Sequence, residues 1–214
     1  MSPGLSDWSF FVEHRAEIFD ATVDHLTLVV IATLIAIVIA VPLGMFIVQR
    51  PALRAIALGA ANIFQTIPSL ALFGLLIPIP FIGGIGRRTA VVALVLYALL
   101  PILRNTYVGL SGIDPAVLEA AEAMGMTPGQ ILFRVRFPLA LSVILAGIRT
   151  ATIITIGVAT IAAEIGAGGL GTFIFRGVAL VSDSLILAGA VPAALLALIA
   201  DFFLGRLERR LRVV

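Results

Sequence analysis

The longest polar stretch of this 214-residue chain beyond its N-terminus runs from Ser111 to Phe137, and its residue types suit contact with another macromolecule. Glu119 and Glu122 stand beside Ala120, Ala121 and Ala123. Small side chains let a partner's backbone come close, and carboxylates offer it charge-assisted hydrogen bonds. Local signals predict two short helices here. Asp114 caps the first, with Pro115 at its first position and Gly125 ending it. Thr127 and Gln130 have capping-box spacing for the second, with Pro128 again at the first position. Taken alone, the stretch is equally a docking surface or a solvated linker.

Other groups could do chemistry, and each has a plainer reading beside it. Gly166, Gly168 and Gly171 spell G-x-G-x-x-G, but a dinucleotide fingerprint needs a preceding strand and a later acidic residue. With Glu164 and Gly169, these glycines read better as a flexible outer loop or gate, with a plain tight turn as the alternative. A G-x-x-x-x-G-K-[ST] phosphate loop is absent, and all fourteen basic residues are Arg, so the chain is not itself an ATPase. His14 and His25 lack ligand partners nearby in sequence and read as incidental surface residues; no metal site is expected. Cys is absent, which removes thiol catalysis and Cys-ligated metals. No cluster of Arg on a soluble face suggests nucleic acid.

Hydrophobic residues make up 61% of the chain and charged ones 12%, against about 25% charged in ordinary globular proteins. A soluble domain of this size cannot hide that much apolar surface, so the solvent for most of the chain is lipid. No secretory signal is expected, because no basic region precedes an early apolar run. Residues 1–25 form an amphipathic extracytoplasmic segment with Trp8 as an interfacial anchor. Residues 26–214 form the transmembrane domain, with the polar loop at 111–137. About five spans follow, over Leu26–Val48, Ala55–Gly86, Thr89–Leu110, Pro138–Ala162 and Ser184–Leu204. Pro78, Pro80, Gly83 and Gly84 break the far end of the second into a loop. Pro101 and Arg104 interrupt the third.

With the N-terminus outside, Arg50, Arg54, Arg104, Arg134, Arg136, Arg206, Arg209, Arg210 and Arg212 lie inside. Arg15, Arg87, Arg88 and Arg176 lie outside. That excess favours an N-out, C-in arrangement. Pro42, Pro68, Pro101 and Pro192 fall within spans, and each removes a backbone donor and bends its helix, which suits a bundle around a pathway. The candidate pathway residues are Gln65, Thr66, Pro68, Ser69, Asn105 and Arg149. For the uncharged polar ones, helix–helix hydrogen bonding is the competing role. Arg149 lies about 16 Å along its span. It must either face the bundle interior, pairing with carbonyls or an acid, or snorkel to the interface. Glu164 and Asp201 read more simply as interfacial.

The polar loop resembles the E-A-A-x(3)-G-x(9)-I-x-L-P loop of type I ABC importer permeases. Glu119-Ala120-Ala121 is followed after three residues by Gly125, and after nine more by Val135-Arg136-Phe137-Pro138. Val135 and Phe137 replace the usual Ile and Leu. The resemblance implies an all-α integral membrane protein with the MetI-like ABC importer permease fold, whose loop inserts a short helix into the ATPase subunit. Glu119, Ala120, Ala121, Gly125 and Pro138 are the implied coupling residues. Gln65–Leu72, Leu96–Tyr107 and Ile165–Gly171 further resemble the osmoprotectant branch, which imports glycine betaine, choline, carnitine and related quaternary amines; methionine and sulfonate permeases share parts of this pattern.

The implied partners are cytoplasmic ABC ATPases, which use ATP and Mg, an extracytoplasmic substrate-binding protein, and a second permease copy or paralogue. No cofactor is expected in this chain, and its expected place is the cytoplasmic membrane of a prokaryote. An ion-gradient-driven secondary transporter would show an internal repeat and acids buried mid-span. An intramembrane enzyme would show paired acids, or His or Ser/Lys constellations, at depth. Neither pattern stands out.

Overall fold

A computed structural model describes residues 8–211 of the chain. Ten α-helices are assigned among them: α1 (Trp8–Glu13), α2 (Arg15–Ile47), α3 (Pro51–Thr66), α4 (Ser69–Leu76), α5 (Arg87–Ser111), α6 (Pro115–Ala123), α7 (Pro128–Gln130), α8 (Phe137–Ile161), α9 (Gly171–Leu180) and α10 (Asp183–Arg210). A π-turn at Ile131–Arg136 joins α7 to α8, and a 3-10 turn at Ala162–Ile165 follows α8. Four helices are long and apolar enough to cross a membrane, or five spans if α3 and α4 count as one.

α3 and α4 meet at a bend of 104°. Their ends decide between a broken span and a re-entrant loop. At the start of α3, Arg54 Nη1 donates to Tyr107 Oη near the end of α5, at 2.8 Å. After α4, the chain reaches Arg87, which ion-pairs with Asp24 at the opposite end of the bundle. The pair therefore crosses from one end to the other as a broken span. Arg50, Arg54, Arg206, Arg209 and Arg210 gather with α6 and α7 at one end, and Asp24, Arg87 and Glu164 at the other.

α2 is apolar almost all round, so side-chain size decides which face packs. Ala32, Ala36, Ala40 and Gly44 recur every fourth residue and are buried against α5. Val30, Leu34, Val38 and Phe46 make the opposite ridge and are exposed. Lipid tails are as apolar as Leu, so helices associate in a bilayer where small residues allow close packing. α5, packed by α2, α3, α4 and α8, is the most enclosed span.

Several sequence expectations need correction. The helix that carries the first span begins before Leu26, at Arg15. α2 has 33 residues, about 50 Å against a hydrocarbon core of about 30 Å, and it runs unbroken through the 25/26 boundary. Its charged first turns extend beyond the apolar section. Trp8 begins α1, and its side chain lies outside the described residues, as does Arg212. Pro101 does not interrupt the third span: α5 continues through it. One proline removes one donor, and enclosing helices tolerate that. Only at Pro68, the residue before α4, does a span break. The second helix of the polar loop is not short, because Pro128–Ile165 forms one 38-residue helical stretch. His25 is not on the surface. It is fully buried, and its Nε2 donates to the Ile156 carbonyl at 3.1 Å.

The α5–α8 seam supplies a stability test. A Cβ at Gly147 of α8 would lie 2.6 Å from Asn105 Cβ and 2.8 Å from the Pro101 carbonyl. Gly147→Leu should cost about 1–3 kcal/mol through overpacking and lower the melting temperature in detergent. Gly157→Ala, with open space around it on the same helix, should melt at or slightly above wild type. Equal melting of both variants would contradict a tight seam.

Candidate coupling and translocation site

The polar loop is built as its signals predict. Asp114 Oδ1 accepts from the Ala116 amide at 2.9 Å, with Pro115 at the first position of α6. The helix ends in a Schellman motif: Gly125 N–H donates to Glu122 O at 2.9 Å and Met126 N–H to Ala121 O at 3.2 Å. Gly125 holds φ at +76°, a left-handed conformation that glycine adopts without Cβ strain. The capping box is complete, with Thr127 N–H donating to Gln130 Oε1 at 2.8 Å and Gln130 N–H to Thr127 Oγ1 at 3.3 Å.

These stops fix what α6 shows to a partner. Ala121 is buried, and α6 packs on the π-turn. Glu119, Ala120, Glu122, Ala123 and Met124 are exposed. Neither Glu119 nor Glu122 has an ion pair among the described residues. The face is small, carboxylate-bearing and open. Pro138 is exposed in the first turn of α8, directly after the π-turn, where Phe137 N–H reaches back to Leu132 O. The wider ladder falls where Pro138 has no donor to give.

The six pathway candidates do not form one cluster. Gln65, Thr66, Pro68 and Ser69 surround the α3–α4 elbow. Thr66 and Pro68 are exposed, and Gln65 and Ser69 half-buried. Thr66 Oγ1 donates to Ile63 O at 2.8 Å, and the Ile67 carbonyl accepts from the Tyr97 hydroxyl of α5. Asn105 lies at the α5–α8 seam, its Nδ2 donating to Pro101 O at 2.8 Å. Arg149 is turned to α10. Its Nε lies 2.6 Å from Asp201 Oδ1, its Nη2 2.9 Å from Asp201 Oδ2, and its Nη1 3.2 Å from Glu208 Oε2. The open question of how Arg149 is accommodated is thus answered by acids.

At the far end, the glycine segment is not a free flap. Gly166, Gly168 and Gly169 hold φ of +75°, +82° and +83°, and Ala167, Gly169 and Leu170 are buried. Gly169 backs onto His25, and Gly171 onto the Thr160 carbonyl of α8. The segment is anchored because the chain must turn tightly from α8 into α9. Glu164 remains exposed. A cleft of about 290 Å³ opens beside the glycine segment, lined by Glu17, Asp24, Gly168, Gly169, Thr172 and Arg176 among others. Among the described residues, no group of three His, Asp or Glu could hold a metal.

The sequence reading missed Tyr97, Gly147, Gly205, Glu208 and the burial of His25. Asp201 and Glu208, two turns apart on one face of α10, were the available signal for an Arg149 partner. Nothing in the sequence says that α8 lies opposite that face.

Comparisons with known proteins agree with this geometry. Residues 32–213 match the family described as the binding-protein-dependent transport system inner membrane component. The carnitine transport permease protein OpuCD of Listeria monocytogenes is 48% identical over 89% of this chain and 84% of its own. The choline transport system permease protein OpuBB of Bacillus subtilis (strain 168) is 43% identical over 94% of this chain and 92% of its own. An inward-facing structure of the MetNI methionine ABC transporter has a chain that is 26% identical. It superposes with a TM-score of 0.82 over 91% of this chain and 95% of that one. A multi-pass bundle, the exposed capped helix α6 and these matches lead to one assignment: the chain belongs to the binding-protein-dependent transport system inner membrane component family, the permeases of ABC importers.

Proposed function

We propose that this chain is the membrane-spanning subunit of an ATP-driven importer of quaternary ammonium osmolytes, such as glycine betaine, choline or carnitine. The observation that carries the coupling half is α6. It is stopped at both ends, exposes Glu119 with Ala120 and Ala123, and packs on a π-turn that continues into α8. A cytoplasmic ATPase that holds α6 would drive a whole span. For the cargo, the carnitine and choline permeases share far more residues with this chain than the methionine permease does. The methionine likeness supports the fold more than the cargo.

In this reading two permease chains, identical or paralogous, enclose the pathway, because one bundle is too small to surround it; two-fold pairing is the common closed symmetry. The elbow residues Gln65, Thr66, Pro68 and Ser69 line the path at that junction, where Ile63 and Leu70 are also exposed. Two ATPases bind and hydrolyse ATP with Mg, while a separate extracytoplasmic protein delivers substrate near Glu164 and the glycine turn. This chain performs no covalent step. The assembly sits in the cytoplasmic membrane of a prokaryote.

Two outcomes follow. Glu119→Lys reverses an exposed charge without touching the core, so the chain should express and melt as wild type. ATP-driven uptake should nevertheless fall about tenfold or more, the effect of about 1.4 kcal/mol; undiminished uptake would remove α6 from coupling. In an uptake-deficient strain carrying the complete transporter, labelled choline, carnitine or glycine betaine should accumulate, with unlabelled methionine a poor competitor. Methionine import without quaternary amine import would overturn the cargo assignment.

A further inference from the structure

The helix that leaves the polar loop is tied to α10 by a charged clasp. Arg149 lies twelve residues into α8 after Phe137, about 18 Å along the helix, on the stretch continuous with the π-turn beneath α6. All three guanidinium nitrogens are engaged by α10. Nε and Nη2 fork onto Asp201, and Nη1 reaches Glu208. Gly205 stands between those acids on the same face, where a Cβ would lie 2.9 Å from Arg149 Nη1. α10 therefore presents two carboxylates flanking a notch shaped to the guanidinium.

The clasp differs from ordinary span packing. Among the described residues, the remaining ion pair, Asp24–Arg87, joins α2 to α5 at the far end. The Arg149 pairs are thus the charged link between α8 and another span. Apolar side chains slide past one another at small cost, whereas separating a forked ion pair breaks directed, charge-assisted hydrogen bonds.

From this geometry we infer that Arg149 is a positioning residue for transport: it makes α10 move as one body with the α6–α8 arm, so that motion imposed at the loop reaches a second span. The inference rests on the permease reading above. It gives Arg149 a mechanical role in place of lining a pathway.

The test uses the complete transporter, with its ATPases and binding protein, in liposomes. ATP hydrolysis and uptake of whichever quaternary amine the wild type carries are measured on the same vesicles for wild type, Arg149→Gln and Asp201→Asn. Hydrolysis should continue in the variants while substrate moved per ATP falls at least about fivefold, the lower range of allosteric coupling. A merely structural role would lower both rates with the amount of folded protein and leave their ratio unchanged, which would overturn the proposal. Asp201→Asn keeps the size and shape of the native side chain, so it decides the matter should Arg149→Gln fail to assemble.

A second readout uses spin labels at Leu139→Cys on α8 and Leu207→Cys on α10, in a chain with no native Cys. With the clasp intact, the label separation should stay constant between nucleotide-free and ATP-bound states, and in Asp201→Asn it should change. A separation that already changes with the clasp intact would overturn the proposal. A wild-type complex with neither hydrolysis nor uptake would instead sink the importer reading, and this inference with it.

Discussion

Inside a bilayer no solvent can complete a broken backbone hydrogen bond, so every interruption of a helix must be met by protein. The α3–α4 elbow is where this chain faces that demand most directly. Pro68 stops the α3 ladder, the chain turns through 104°, and the Tyr97 hydroxyl of the enclosed helix α5 donates to the Ile67 carbonyl. The elbow is therefore supported by α5. It brings Gln65, Thr66 and Ser69 to one junction, with Thr66 exposed and Gln65 and Ser69 half-buried. The prolines inside the other spans, Pro42, Pro101 and Pro192, lie within continuous helices.

Once all faces of a helix are apolar, hydrophobicity no longer selects which side packs, and size takes over. The Ala32–Ala36–Ala40–Gly44 ridge of α2 lies against α5, with Gly44 directly on Thr106. The larger Val30–Leu34–Val38–Phe46 ridge stays outward. The same rule sets the α5–α8 seam at Gly147 and admits the Arg149 guanidinium at Gly205. Small residues thus supply both the apolar seams and the polar clasp. The loop is assembled differently: its caps are local, and Glu119 and Glu122 stand exposed on it.

Loop and bundle meet at the π-turn Ile131–Arg136. Through it the capped end of the loop becomes the base of α8. A helix that begins outside the bilayer and crosses it carries displacement along its axis, and a forked ion pair can extend that displacement sideways. In the proposed reading, docking at α6, continuity through the π-turn and the clasp form one physical sequence from Glu119 to α10.

Much was legible in the residues alone. The polar loop was readable down to its caps, because Asp114, Pro115, Gly125, Thr127, Pro128 and Gln130 act on amides within a few positions of themselves. Its resemblance to the importer loop rests on Glu119-Ala120-Ala121, Gly125 and Pro138 standing at that family's spacing. The apolar runs and the arginine distribution conveyed span number and ordering, since both reflect the cost of placing each residue in lipid. The ends of α2, the passage of α5 through Pro101 and the burial of His25 were not legible, because each depends on which helix lies alongside. Likewise Arg149 is 52 and 59 residues away from Asp201 and Glu208, and no local rule aligns the two helices that carry them. Sequence determined the lipid-dwelling class and the local chemistry of the loop; tertiary packing decided which polar groups meet, because in a uniformly apolar chain small-residue contacts set the helix neighbours.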